Sequence, residues 1–256
     1  MMSHPQISVV MSCYNTGDTL ERAVQSVLNQ SFENFEFIIL DDGSTDNTRD
    51  LLQKLSETDS RIIIIKNENN IGLSASLNRG IKIATSKYVA RMDGDDECMS
   101  NRLAIQFQFL EKNPQIDVVG SAILLRKGND KILGERIPPE RDDEIKSRVF
   151  RKPLLYHPTI LIRKSVFENI GYYNDKLRWA EDADLWYRIY DKIRFANIQQ
   201  PLLIYTVKEK LSIKNALINL KVKYTNLKRR RLLLKYAPQL IYDTLLLSSK
   251  VIRYRP

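Results

Sequence analysis

Three aspartates, Asp93, Asp95 and Asp96, stand within four residues directly after the apolar stretch Lys87–Met92 (KYVARM). Carboxylates this close repel one another, and a divalent cation held by one or two of them removes the conflict. All-oxygen ligands suit Mg²⁺ or Mn²⁺, ions that usually bridge to the phosphate oxygens of a substrate. A solvated acidic turn would carry the same string, so its place in the fold decides between the two readings. A second acidic pair opens Asp41-Asp42-Gly43-Ser44-Thr45-Asp46. Gly43 suits a turn and Asp46 a helix cap, which leaves two adjacent carboxylates unexplained. An acid at a strand end accepts from a ribose hydroxyl or a base N–H in nucleotide sites, and that role falls to Asp42. The third pair, Glu181-Asp182, heads a segment with helical spacing. Acids gain about 0.3–1 kcal/mol each in a helix's first turn. A helix start can also aim Asp182 into a cleft, where a carboxylate takes the proton of an attacking hydroxyl.

The elements that must bring these residues together are legible in the hydrophobic pattern. Ile7–Ser12, Phe35–Leu40, Arg61–Lys66 and Lys87–Met92 read as short buried strands. Between them, Leu20, Ala23, Val24, Val27 and Leu28 make one helix face behind Asp18 and Glu21, placed as a capping box. Leu51, Leu52 and Leu55 mark a helix after Asp46, and Ser74–Ala84 a third. Such alternation predicts right-handed crossovers and a parallel α/β sheet covered on both faces. Ligands then lie beyond the carboxyl ends of the strands, so the segments after strands one, two and four should meet. Past Asp96 the rhythm changes. We expect a helix over Ser100–Lys112, strands at Ile116–Leu125, Lys131–Ile137 and Thr159–Ile162, partly helical structure in Pro138–Lys152, and helices at Ser165–Ile170 and Glu181–Tyr190.

The 256 residues carry a net charge of +9, but that charge is local. Residues 207–256 hold 13 Lys and Arg against 2 Asp and Glu, which leaves 27 against 29 in the rest. The body is therefore slightly acidic, and nucleic-acid binding through it is not expected. In the tail, Arg229, Arg230 and Arg231 interleave with leucines. The tail reads as a basic amphipathic helix for an anionic membrane surface, or as an extension packed on the body. Hydrophobic residues at 43% and charged at 28% exclude collagen-like and disordered chains. No apolar run is long enough to span a bilayer, and no basic flank precedes the first apolar run as in a signal peptide. Two cysteines make no disulfide scaffold and no CxxC zinc site, so a cytoplasmic setting is expected.

Five segments then combine. Val9–Asn15 (VVMSCYN), Asp41–Asp46, Asn70–Ser74 with Asn78-Arg79-Gly80, Ala90–Asp96 (ARMDGDD) and Trp179–Trp186 (WAEDADLW) occur in that order. From about Ile7 to Tyr205 the chain resembles the family-2 glycosyltransferases with the A-type glycosyltransferase fold. The resemblance implies a Rossmann-like nucleotide-binding sheet, mostly parallel with some antiparallel strands. It also implies inverting transfer from a nucleoside-diphosphate sugar, a UDP-sugar favoured, to a hydroxyl of a glycan or lipid-linked glycan. Matched by residue, Ser12 and Tyr14 would line the base pocket, Tyr14 stacking on the base. Asp42 would read base or ribose, and Asn15, Gly72 and Asn78 fall in the same substrate-binding segments. Asp93 would contact ribose or donor sugar. Asp95, with Asp93, would hold Mn²⁺ or Mg²⁺ on the diphosphate. Asp182 would be the catalytic base with Glu181 beside it. His157, in Tyr-His-Pro, is a further candidate metal ligand, although a lone strand-edge histidine is more often structural.

Departures from the family pattern are small: Ser76-Leu77-Asn78 replaces an Ala-Arg-Asn tripeptide, and Gly94 an alanine. Arg79 reads as a surface residue. The expected organisation is a catalytic unit over 1–206, with a nucleotide-sugar half (1–98) and an acceptor half (99–206), followed by the tail, 207–256. A sugar nucleotidyltransferase is the competing enzyme class. It should carry a glycine-rich phosphate loop after the first strand, where this chain has Cys13–Asp18 (CYNTGD) and no GxGxxG. A non-catalytic membrane- or nucleic-acid-binding protein acting through the tail is the other alternative.

Overall fold

The computed structural model describes residues 4–128, 131–151, 155–207 and 213–252, with the side chains of 246–252 left aside. The first half alternates as the pattern requires: β1 (Ile7–Cys13), α1 (Gly17–Leu28), β2 (Phe35–Asp41), α2 (Thr48–Thr58), β3 (Ile62–Lys66), α3 (Leu73–Ile83) and β4 (Tyr88–Asp93). These four strands lie side by side as β3-β2-β1-β4, and all are parallel. Successive strand residues face opposite sides of a sheet. Ile7, Val9 and Met11 accordingly pack with Leu20 and Val24 of α1 and Leu52 of α2. Val10 joins Ile38, Leu40, Leu77 and Ile81 on the other face, against α3. Both faces are covered, which is why the strands read as continuous apolar runs.

Then follow β5 (Glu97–Cys98), α4 (Arg102–Lys112), β6 (Val118–Lys127), β7 (Lys131–Arg136), α5 (Asp142–Arg148), β8 (Leu161–Arg163), α6 (Lys164–Ile170), α7 (Glu181–Ile189) and β9 (Phe195–Thr206). β8 runs antiparallel between β4 and β6, β6 pairs parallel with β9, and β5 adds antiparallel to β9. The result is one mixed sheet, β3-β2-β1-β4-β8-β6-β9-β5, with β7 on β6.

Three details differ from expectation. Helix α1 has Thr16 at its N-cap position and Asp18 in its first turn. The β2–α2 loop supplies partners there: Thr16 N donates to Thr48 Oγ1 (2.9 Å) and Gly17 N to Asp46 Oδ2 (3.1 Å), so no capping box is needed. The strand expected at Thr159–Ile162 is a 3₁₀ turn, His157–Thr159, followed by β8. Strand β9 was not legible, because Gln199-Gln200-Pro201 interrupts its apolar pattern; the β6–β9 register shifts between Ser121 and Ile123 at that point.

The tail forms α8 (Ile213–Arg229) and α9 (Leu233–Ile252); its segments 208–212 and 253–256 lie outside the described residues. Helix α8 packs on α7. Leu227 is fully buried, Asn226 Nδ2 donates to Asp184 Oδ1 (3.1 Å), and Arg230 pairs with Asp191 while donating to the Tyr187 and Arg188 carbonyls. Part of the tail's basic charge therefore serves packing. Helix α9 leaves Leu234, Ile241, Tyr242 and Leu245 exposed. Among the described residues no helix is long and apolar enough to cross a membrane.

Candidate active site

Because β2, β1 and β4 are neighbours, their carboxyl ends present three loops together, with Ser12 in register with both Leu40 and Asp93. The loops are cross-braced. Asn15, in the left-handed region at φ 51°, accepts from Thr45 N at its Oδ1 (2.9 Å) and donates its own N–H to Ser44 Oγ (3.1 Å). Asp42 N donates to Cys13 O (2.9 Å). Thr19 Oγ1 donates to Gly94 O (2.8 Å), which ties the first turn of α1 to the acidic loop. Ser12 is half-buried and Tyr14 is exposed.

Asp42 and Asn78 are placed otherwise than expected. The Asp42 carboxylate is buried and accepts from Asn67 Nδ2 (2.8 Å), Ile71 N (2.9 Å) and Gly72 N (2.8 Å). With those bonds made it anchors the 70–72 loop. Asn78 donates to Tyr173 O (2.9 Å) and accepts from Tyr173 N (3.0 Å), so both its polar ends are spent on backbone. Gly72 has φ 94°, and a Cβ there would lie 2.5 Å from Arg178 Nη1. The glycine thus lets Arg178 cross the loop, where it donates to Asn70 Oδ1 (3.0 Å). Arg79 is exposed, with its guanidinium on Asn67 Oδ1.

The acidic loop leaves β4 and is pinned by the last strand. Thr206 N donates to Asp96 Oδ1 (2.8 Å), and Thr206 Oγ1 to the Asp95 carbonyl (2.5 Å). Asp93, Asp95 and Asp96 bring ligand oxygens within 4.8 Å of one another. Asp96 is almost fully buried, and its Oδ2 accepts no hydrogen bond. Burial, then Asp93 and Asp95, drive its pKa well above the usual carboxylate range. A buried orphan oxygen among carboxylates is costly unless a cation or a proton meets it. This all-oxygen set fits Mg²⁺ or Mn²⁺. His157 is not part of the set. Its Nε2 lies 2.7 Å from Tyr173 Oη, its Nδ1 faces Glu181 Oε1 at 3.7 Å, and burial with the nearby Arg91 charge holds its pKa well below 6.5.

Glu181 and Asp182 begin α7 behind Ala180, which sits at φ 64°. A non-glycine residue there is strained, and such strain clusters at functional sites. Burial first, then the Asp182 charge, pushes Glu181 up to about 7. Burial also raises Asp182, whose Oδ1 accepts from Ala183 N (2.7 Å). Between these acids and the cluster stands Arg91, 5% exposed, donating to Asp93 Oδ2 (2.5 Å) with its Nε unpartnered. Its charge also acts on Glu181 and Asp182. Sequence reading passed over Arg91, yet an arginine inside an otherwise apolar buried strand was the available signal.

One open cavity of about 940 Å³ joins these groups. Its wall includes Asp93, Asp95, Asp96, His157, Glu181 and Asp182. Ser12, Tyr14, Asn15, Asp42, Gly72 and Asn78 are not part of that wall. Helices α8 and α9 are, through Asn219, Lys223 and Asp243 among others.

A Rossmann-like sheet with an acidic cluster beyond its parallel strands and an acid pair on the same cavity defines a protein of the A-type glycosyltransferase fold. The chain belongs to glycosyl transferase family 2, whose sequence model matches residues 8–171. It is 35% identical over 210 residues to an uncharacterized glycosyltransferase of Methanocaldococcus jannaschii, covering 80% of this chain and 72% of that one. It is 29% identical to the GalNAc(5)-diNAcBac-PP-undecaprenol beta-1,3-glucosyltransferase of Campylobacter jejuni, covering 79% of this chain and 65% of the relative. Its fold matches that of S. aureus TarS 1–349 crystallised with UDP, at TM-score 0.67 and 20% identity, over 87% of this chain and 65% of the other.

Proposed function

We propose that this protein is an inverting hexosyltransferase. It moves a sugar from a nucleoside-diphosphate sugar, a UDP-sugar in our reading, to a hydroxyl of a lipid-linked or other cell-surface glycan. The observation that carries the reading is the single cavity shared by a cation-competent carboxylate cluster and a half-buried acid pair. Asp95 and Asp93, with Asp96, would hold Mn²⁺ or Mg²⁺. When bound, that ion acts as a Lewis acid that offsets the charge developing on the departing diphosphate. Asp182 accepts the acceptor hydroxyl's proton as its oxygen forms the new C–O bond opposite the leaving group. Glu181 shares that proton, since two adjacent acids whose charges interact titrate as a pair. Arg91 holds Asp93 in place. Ser12, Tyr14 and Asn15 line the nucleotide side, and the Asp42-anchored loop with Gly72 shapes it. The undecaprenol-linked substrate in the name of the C. jejuni relative supports a lipid-linked acceptor. The exposed apolar stripe and basic residues of the tail support docking on the anionic cytoplasmic face of a membrane. Residues 1–206 form the catalytic unit in this reading and 207–256 its membrane-facing extension.

Calorimetric titration with UDP tests the donor side. Binding should require Mn²⁺ in the native protein and be lost in Asp95→Ala. Equal affinity of the two proteins would overturn the reading.

A further inference from the structure

Helix α8 does more than cover α7. Ala216, Asn219, Leu220 and Lys223 all line the cavity, and steps of three, four and seven residues put them on one stripe of the helix. A helix that served only as packing would place apolar residues along that stripe. This one carries an amide and an ammonium. Lys223 is only 7% exposed, and Nζ donates to Asp243 Oδ2 of α9 (2.6 Å). Asp243 Oδ1 accepts from Gln239 Nε2 (2.8 Å). Tyr187 shares the cavity wall with both pairs, near enough for the Asp182 and Asp243 charges to act on its hydroxyl. Its ring is stacked on Phe150 with centroids 4.6 Å apart, so the hydroxyl is held in place.

A paired ammonium and carboxylate, an amide and a fixed phenol offer both donors and acceptors at nearly neutral net charge. Vicinal hydroxyls of a sugar ring need that mixture, and a bare anion does not. The rim adds Trp179, 38% exposed and on the cavity wall, as an apolar face for ring C–H groups.

We propose that α8 and α9 build the acceptor-sugar subsite, in which Asn219, Lys223, Asp243 and Tyr187 bind the hydroxyls of the ring whose reactive hydroxyl is presented to Asp182. The proposal rests on the acceptor reading above and adds that the tail is part of the active site.

Saturation-transfer NMR on the full chain with UDP and Mg²⁺ tests it. The probes are the methyl α- and β-glycosides of glucose, galactose, N-acetylglucosamine and N-acetylgalactosamine. At least one glycoside should receive saturation in the native protein and lose it in Lys223→Met and in Asn219→Ala, with the UDP signal retained. Asn219→Ala leaves the Lys223–Asp243 pair intact, so its result stands even if Lys223→Met does not fold. The exchanged pair Lys223→Asp/Asp243→Lys keeps an interhelical ion pair; it should regain melting temperature but not the glycoside signal. Saturation of no glycoside, its persistence in both single variants, or its return in the exchanged pair would each overturn the subsite. The UDP signal reads the donor side separately: its absence, with a glycoside still bound, would count against the donor reading alone.

Discussion

The cavity holds two groups of carboxylates, and the fold treats them oppositely. At the end of β4 three acids crowd together, one with an unpartnered buried oxygen, and Thr206 ties the loop to β9. At the start of α7 two half-buried acids lie side by side, and Glu181 faces His157, whose pKa burial holds well below 6.5. The first group carries more negative charge than Arg91 alone offsets; the second is poised to take up a proton. Arg91 lies between them and is shared by both. Residue type alone therefore says little about role, and the surroundings of each carboxylate set what it can bind.

The contrast is sharpest at Asp182. Asp182→Asn should leave cation-dependent UDP binding unchanged and lower turnover by roughly 10²–10⁴; near-normal turnover would remove Asp182 as the base. Arg91→Met should damage both groups, because it leaves Asp93 without its partner. A broken buried pair costs about 3–5 kcal/mol, and we expect roughly 3 because Asp93 is a quarter exposed. Denaturant unfolding reads that loss, and an unchanged midpoint would show that Arg91 is not the bridge.

Asp96→Asn should act on one group only. Without divalent ions the variant should melt higher than the native protein, since a crowded buried carboxylate is gone. The stabilisation given by added Mn²⁺ should shrink. A full Mn²⁺ shift in the variant would place the ion elsewhere.

The proton-binding group should respond to pH. Glu181 rises from an ordinary 4.5 to about 7, so between those values the folded protein holds a proton that the unfolded chain has released. Stability therefore falls as pH climbs from about 4.5 to 7, while turnover rises as the acid pair ionises. Glu181→Gln should flatten the stability slope, and a slope unchanged in that variant would assign it to another group. The smallest effect belongs to the tail. Leu234→Ser with Ile241→Ser should weaken sedimentation with anionic vesicles several-fold and leave UDP affinity intact. Equal sedimentation of the native protein with neutral vesicles would refute docking by charge.

Much of the first half of the fold was legible in the sequence. Strands β1 to β4 announce themselves by local period, and their order and spacing alone place the Cys13, Asp41 and Asp93 segments side by side. Other features depend on distant partners. The partners of Asp42 and Asn78 lie far along the chain: Asp42 accepts from Asn67 and from the 71–72 backbone, and Asn78 bonds the Tyr173 backbone. Strand β9 is hidden by Gln199-Gln200-Pro201, although it supplies the Thr206 clamp. The tail's leucines and lysines could not be divided between packing and surface until α8 was seated on α7.

The sequence by itself determined the α/β alternation, the family, and the three acidic strings, because those follow from residue type and local spacing. Only the tertiary structure decided that Asp96 is buried with an orphan oxygen, that Arg91 joins the two acid groups, and that the basic tail lines the cavity through Lys223 and Asp243. Burial and electrostatic environment are set by contacts between segments tens to more than a hundred residues apart, and no short window of sequence contains them.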